Sequence, residues 1–221
     1  MKFPWSMLKG CWVIVGHDAN AKQLLTVYFA LLASRDHKVF VIQGKPLKEN
    51  LFEITSKNIV KNAVLDNIII LDYKDETTRI LCDDTENHII FYEPPNLPKC
   101  RGNCIVLTTP PLKRKLVEPW MKVTLHKIYG HEYLLRTSSG SFRIVISPEF
   151  IGLSKGPSGI LGEALNLLRS AIVDYGSLTV RDAIDIIAYN LGMKRSEARN
   201  ILGLLVERKY VAIDKNNVIV Y

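Results

Sequence analysis

Residues 11–15, Cys-Trp-Val-Ile-Val, form an unbroken apolar run closed by Gly16, and they constrain the chain more than any other segment. A run without polar alternation is what a strand buried on both faces requires. Residues 16–22 predict a loop, residues 23–34 carry apolar side chains throughout and predict a buried helix, and residues 38–42 predict a second buried strand. Strand, helix and strand in about 30 residues make a βαβ unit, whose crossover closes right-handed onto a parallel sheet. Apolar runs at residues 67–71, 88–92 and 104–108 extend that sheet.

The rhythm changes at Met121. Residues 122–129, 133–136 and 142–146 are joined by short turns containing Gly130 and Gly140, the pattern of antiparallel hairpins. The first region, residues 1–153, therefore reads as an α/β domain with a mostly parallel sheet and an antiparallel edge. Residues 154–158, Ser-Lys-Gly-Pro-Ser, read as a linker. Beyond it, Leu161, Ala164, Leu165, Leu168 and Ile172 have helical spacing, and Thr179 with Asp182 predicts a capping box opening a second helix that Gly192 ends. Residues 196–209 predict a third helix, and residues 210–213 and 218–221 a closing hairpin. Three helices and a hairpin in residues 159–221 are the make-up of a winged helix.

Charge and composition exclude several classes. Hydrophobic residues are 48% and charged residues 23%, which argues against a disordered chain or a coiled-coil rod. The four cysteines (Cys11, Cys82, Cys100, Cys104) are too few and too scattered for a disulfide scaffold. The longest greasy stretch, residues 24–33, is half of the roughly 20 residues a bilayer needs. With no signal-peptide core at the N-terminus, the expected setting is the cytoplasm, away from membranes. The net charge is +7, and residues 99–127 hold most of it: Lys99, Arg101, Lys113, Arg114, Lys115, Lys122 and Lys127 against Glu118 alone.

Residues 8–16, Leu-Lys-Gly-Cys-Trp-Val-Ile-Val-Gly, and the closing strands with residues 141–146 and Phe150-Ile-Gly152 together resemble the RecA/RadA recombinase superfamily, over residues 8–153. The resemblance implies a RecA-like core with a phosphate loop at residues 16–23. A working phosphate loop needs small glycines so that backbone amides can cradle phosphate, a lysine, and a hydroxyl for Mg²⁺. Here Gly16 and Lys22 match, whereas Ala21 replaces the second glycine and Gln23 the hydroxyl residue, and Asp18 adds a negative charge. The strand ending at Gln43-Gly44-Lys45 lacks the family's hydrolytic carboxylate, and Glu93 stands where the family places its metal-associated aspartate. The resemblance therefore implies a vestigial nucleotide site (Gly16, Lys22, Glu93), with no catalytic residues and no cofactor. In that reading Lys22 is a solvated relic at a helix start, so Lys22→Ala should leave stability nearly unchanged.

Nucleic-acid contacts have two candidate locations. Lys113, Arg114 and Lys115 follow Thr108-Thr-Pro-Pro111 where recombinases face DNA, with Trp120 able to stack on an unpaired base; the alternative is a solvated charge run with Trp120 in the core. In the winged helix, Lys194, Arg195, Arg199 and Asn200 at the third helix and Lys215 on the wing are the expected DNA contacts. Residues 151–221 carry nine basic and seven acidic side chains, which equally suits a protein-docking module. Cys100 and Cys104 lack a second ligand pair, the five histidines show no metal spacing, and Asp83-Asp84 suits a turn cap, so no metal site is expected.

The chain is thus expected to be a non-catalytic accessory protein of DNA recombination, repair or replication, akin to the RadA paralogues of archaea. Its partners would be single-stranded or duplex DNA and a RecA/RadA-like or replication protein, in a homo- or hetero-oligomer. The alternative is a protein-interaction scaffold or transcription regulator whose RecA-like domain only mediates assembly.

Overall fold

The computed structural model describes residues 9–48, 50–60, 62–74, 81–82, 86–100, 102–111, 116, 120–138 and 140–220. The chain divides into two compact units, Met1–Ser154 and Lys155–Tyr221.

The first unit is built on a nine-stranded mixed sheet, in the order β3-β2-β4-β5-β1-β6-β7-β8-β9. Its strands are β1 (Cys11–Gly16), β2 (Val39–Gln43), β3 (Ile68–Asp72), β4 (His88–Tyr92), β5 (Asn103–Thr108), β6 (Trp120–Tyr129), β7 (Glu132–Thr137), β8 (Gly140–Ile146) and β9 (Ile151–Leu153). Every pairing from β3 through β6 is parallel, and β6 through β9 are antiparallel. β1, β4 and β5 lie inside the sheet and are covered on both faces, which is why they read as unbroken apolar runs.

Helix α1 (Ala19–Ala33) is buried from Ala21 to its end. A helix apolar all round must be enclosed, and α1 packs between the sheet and α2 (Leu51–Asn58) in the larger core, with Val41, Ile90, Leu107, Val123 and Leu135. The opposite face buries Val13, Val15, Ile89, Phe91 and Val106 together with all four cysteines. There Cys82 and Cys100 form a disulfide, while Cys11 and Cys104, opposite each other on β1 and β5, are free and buried.

The loop expected over residues 16–22 is far shorter. Helix α1 begins at Ala19, so only His17 and Asp18 separate it from β1. The reason is local: Ala19 and Ala21 are strong helix formers, and the Asp18 side chain caps the helix by accepting from the Ala21 amide at 3.0 Å.

The second unit contains α3 (Ile160–Tyr175), β10 (Leu178–Thr179), α4 (Val180–Asn190), α5 (Arg195–Glu207), β11 (Val211–Asp214) and β12 (Asn217–Val220). Its sheet is antiparallel, ordered β10-β12-β11. The Thr179–Asp182 capping box is present in both directions at the start of α4. β11 and β12 are joined by Lys215 and Asn216, both at positive φ, the geometry a two-residue hairpin needs to match strand twist. Ala164, Leu168, Ala183, Ile187, Ala198 and Leu205 form this unit's own core. No helix among the described residues is long and apolar enough to cross a membrane.

Candidate functional site

The carboxyl ends of β1, β5 and β4 lie side by side, and each sends one polar residue to a common point. Lys22 comes from the first turns of α1, Glu93 directly follows β4, and Thr109 directly follows β5. The Lys22 ammonium forms an ion pair with Glu93 Oε1. It also donates to Thr109 Oγ1 at 2.6 Å, and the Thr109 hydroxyl donates in turn to the same Glu93 oxygen at 2.6 Å. The Lys22 side chain is 1% exposed and that of Glu93 8%.

Lys22 is therefore no solvated residue at a helix start: it is among the largest fully buried side chains of the chain. The expectation fails because α1 starts earlier than the pattern suggests, at Ala19 instead of Gln23, which turns position 22 into the sheet. An unpaired ammonium at that depth would be prohibitively desolvated, and the Glu93 carboxylate makes the burial tolerable. Burial pushes the Glu93 carboxyl up, but hydrogen bonds from Lys22 and Thr109 and the charges of Lys22 and Lys45 more than offset it, holding the group below its ordinary value. Glu93 itself sits at φ 48, a left-handed conformation that only surrounding structure can impose on a non-glycine residue. The neighbouring backbone is equally tight, since a Cβ on Gly44 would lie 2.0 Å from the Glu93 carbonyl oxygen.

The N-terminus of α1 is satisfied in the same internal fashion. Besides capping the helix, Asp18 accepts through Oδ2 from Lys127 at 2.9 Å and from the Tyr133 hydroxyl at 3.0 Å. Although burial raises it, these bonds and that from the Ala21 amide hold the Asp18 carboxyl below its ordinary value. The positive end of the helix dipole, where a bound anion would sit, thus already faces a carboxylate. Gly16 closes β1 against β6, where an added Cβ would come within 3.1 Å of Leu125. Gln23 lies buried in α1, bonded to the Tyr92 side chain, and its carboxamide oxygen has no donor among the described residues.

The structure thus brings Lys22 and Glu93 together and leaves Gly16 as a packing position. Thr109 and Tyr133 were given no site role from the sequence, and Lys127 was counted only within the basic segment 99–127. Thr109 carries a weak signal, a hydroxyl residue immediately past a buried parallel strand, whereas Lys127 and Tyr133 reach Asp18 only through the β6–β7 hairpin. Next to Glu93, a cavity of about 370 Å³ is lined by Lys45, Pro94, Asn96, Thr108 and Pro111.

Among the nucleic-acid candidates, Lys113, Arg114 and Lys115 lie outside the described residues, as do Asp83 and Asp84. Trp120 opens β6 half-buried and packs against the core face that holds Cys11 and Phe91. Lys194, Arg195, Arg199, Asn200 and Lys215 are exposed. Arg195 and Arg199 share one side of α5, and Arg195 pairs with Asp185 of α4 at 2.8 Å. The described residues contain no group of three or more His, Cys, Asp or Glu side chains placed to hold a metal ion.

No protein-family model matches the chain, and no curated protein matches its sequence.

Proposed function

We propose that this chain is a non-catalytic RecA-like accessory protein that binds DNA, a recombinase or replication partner, or both, in DNA recombination, repair or replication. One observation carries the reading: the two positive features a phosphate loop offers, its lysine and its helix N-terminus, are both taken by the chain's own carboxylates. Residues 19–23 are helical, and Asp18 engages two of their amides, that of Ala21 through its carboxylate and that of Lys22 through its carbonyl. A nucleotide would have to displace a buried ion pair and a cap before gaining any contact. The parallel sheet with an antiparallel edge supports the RecA-like assignment, and the order helix, short strand, two helices and hairpin in residues 155–221 supports a winged helix. Ile69 and Ile70 are exposed on β3, at one end of the sheet order, which supports assembly into an oligomer through that edge.

The test is a salt titration of binding to single-stranded and duplex DNA, run beside a MgATP titration. Binding should fall by a log–log slope of about 0.7–0.9 per phosphate contact, and ATP should neither bind nor turn over. Tight ATP binding by the native chain would overturn the reading. A second reading, a protein-interaction scaffold, is favoured by a groove in the second unit and predicts no DNA affinity at physiological salt.

A further inference from the structure

The second unit carries a groove of about 530 Å³ between α5, the start of α4 and the β11–β12 hairpin. Its floor is apolar, formed by Val180, Ile184, Leu202, Val206 and Ile213, and its rim carries Arg181, Arg199 and Arg195, the last already paired with Asp185 at 2.8 Å. Along α5 the lining positions 195, 199, 202 and 206 make one stripe, about 16 Å long at 1.5 Å per residue. The stripe is cationic in its first half and apolar in its second. Gly203 lies in this wall, in mid-helix, and an added Cβ there would meet nothing within 4 Å. Glycine inside a helix is destabilising relative to alanine, and no neighbour within the unit requires it.

We propose that this groove docks an acidic amphipathic peptide segment of a partner protein, its carboxylates on the arginine rim and its apolar side chains on the floor. The inference rests on the reading of the chain as a binding module and names the chemistry of its partner. With Arg195 paired to Asp185, Arg181 and Arg199 are the rim cations that complement acidic side chains, and the floor rewards apolar anchors spaced along one helix face. Duplex DNA offers phosphate to the rim but little apolar surface to the floor. Near-neutrality of the unit, nine basic against seven acidic side chains in residues 155–221, also removes the broad positive field that non-specific DNA binding uses.

The experiment uses the full chain and a fluorescein-labelled peptide of about 14 residues, with Glu on one helical face and Leu or Phe at i, i+3, i+4 and i+7 on the other. Controls are the same composition scrambled and the same peptide with Lys for Glu. Saturable binding of the patterned acidic peptide alone is expected. Arg199→Glu should weaken it at least about tenfold through the rim, and Gly203→Leu similarly by filling the wall. Gly203→Leu removes a helix-disfavouring glycine from an open position, so its fold is kept, and circular dichroism of both variants verifies this. Equal binding of the scrambled or basic peptide, no saturation, or unchanged affinity in both variants would overturn the proposal. So would duplex DNA that binds the full chain, displaces the peptide and is itself lost in Arg199→Glu, which assigns the rim to nucleic acid. Turnover of MgATP by the same preparation would defeat the non-catalytic reading and leave the peptide result standing.

Discussion

Replacing Glu93 by glutamine removes one negative charge and almost no volume, so its effect isolates the buried ion pair. With the two side chains 1% and 8% exposed, neither charge has water to fall back on. Removing one partner of a buried pair costs about 3–5 kcal/mol, because the other charge is left uncompensated. Here the lower end applies, since the carboxamide oxygen of the Glu93→Gln variant and Thr109 Oγ1 can still accept from Lys22. About 3 kcal/mol is a large share of the ordinary 5–15 kcal/mol of domain stability. With a urea m-value of about 2 kcal/mol/M, the midpoint should fall by about 1.5 M. Tryptophan fluorescence is the assay: Trp12 and Trp120 belong to the first unit and residues 155–221 contain no tryptophan, so the signal does not report the second unit. Lys22→Met, which strands Glu93, should be destabilised by a similar amount. The double variant Lys22→Met/Glu93→Leu should return to within about 1 kcal/mol of the native chain or exceed it, because a well-packed apolar pair avoids both desolvation penalties. A Glu93→Gln midpoint within about 0.2 M of the native one, or strictly additive losses in the double variant, would refute a buried, mutually compensating pair.

Four further perturbations have defined outcomes. Burial and the neighbouring His37 push His88 down to about 4 from 6.5, so between those values the unfolded chain binds the extra proton. Stability should therefore drop by about 2 kcal/mol as pH falls from 7 to 5, and His88→Phe should flatten that slope in fluorescence-monitored urea unfolding. Glu93 and Asp18, both held below their ordinary values, contribute stability that is present above the ordinary carboxylate range and is lost on acidification below it, a separable window. Asp18→Asn keeps a competent cap but puts an amide NH2 where Oδ2 accepts from Lys127 and the Tyr133 hydroxyl, a loss of about 1 kcal/mol, whereas Asp18→Ala removes the cap as well and should cost about 1 kcal/mol more by the same assay. Gly44→Ala must move backbone at Glu93 by about 1 Å or more and should destabilise the first unit by several kcal/mol, read as a lowered thermal midpoint.

The parallel core and the helical second unit were legible because burial on both faces leaves an unmistakable apolar run. Residues 11–15, 88–92 and 104–108 each became a strand within a residue of the expected bounds. The Thr179–Asp182 box was legible for a different reason: capping is a matter of four consecutive residues and needs no tertiary partner. The Cys82–Cys100 disulfide was not, because a loop closed by two distant cysteines leaves no local pattern.

What the sequence determined by itself is the make-up of residues 16–23: a single glycine, no hydroxyl side chain, and a carboxylate at Asp18. These weaken a phosphate cradle wherever the loop lies. What only the tertiary structure decided is the fate of Lys22. In the linear pattern it sits between Ala21 and Gln23 and reads as a surface residue at a helix start. Its burial depends on where α1 begins and on Glu93 and Thr109, which lie 71 and 87 residues away in the chain. A long-range ion pair has no signature in residue spacing. It exists because the carboxyl ends of β1, β5 and β4 are neighbours in the sheet, and a charge brought into that crowded junction persists only with its counter-charge beside it.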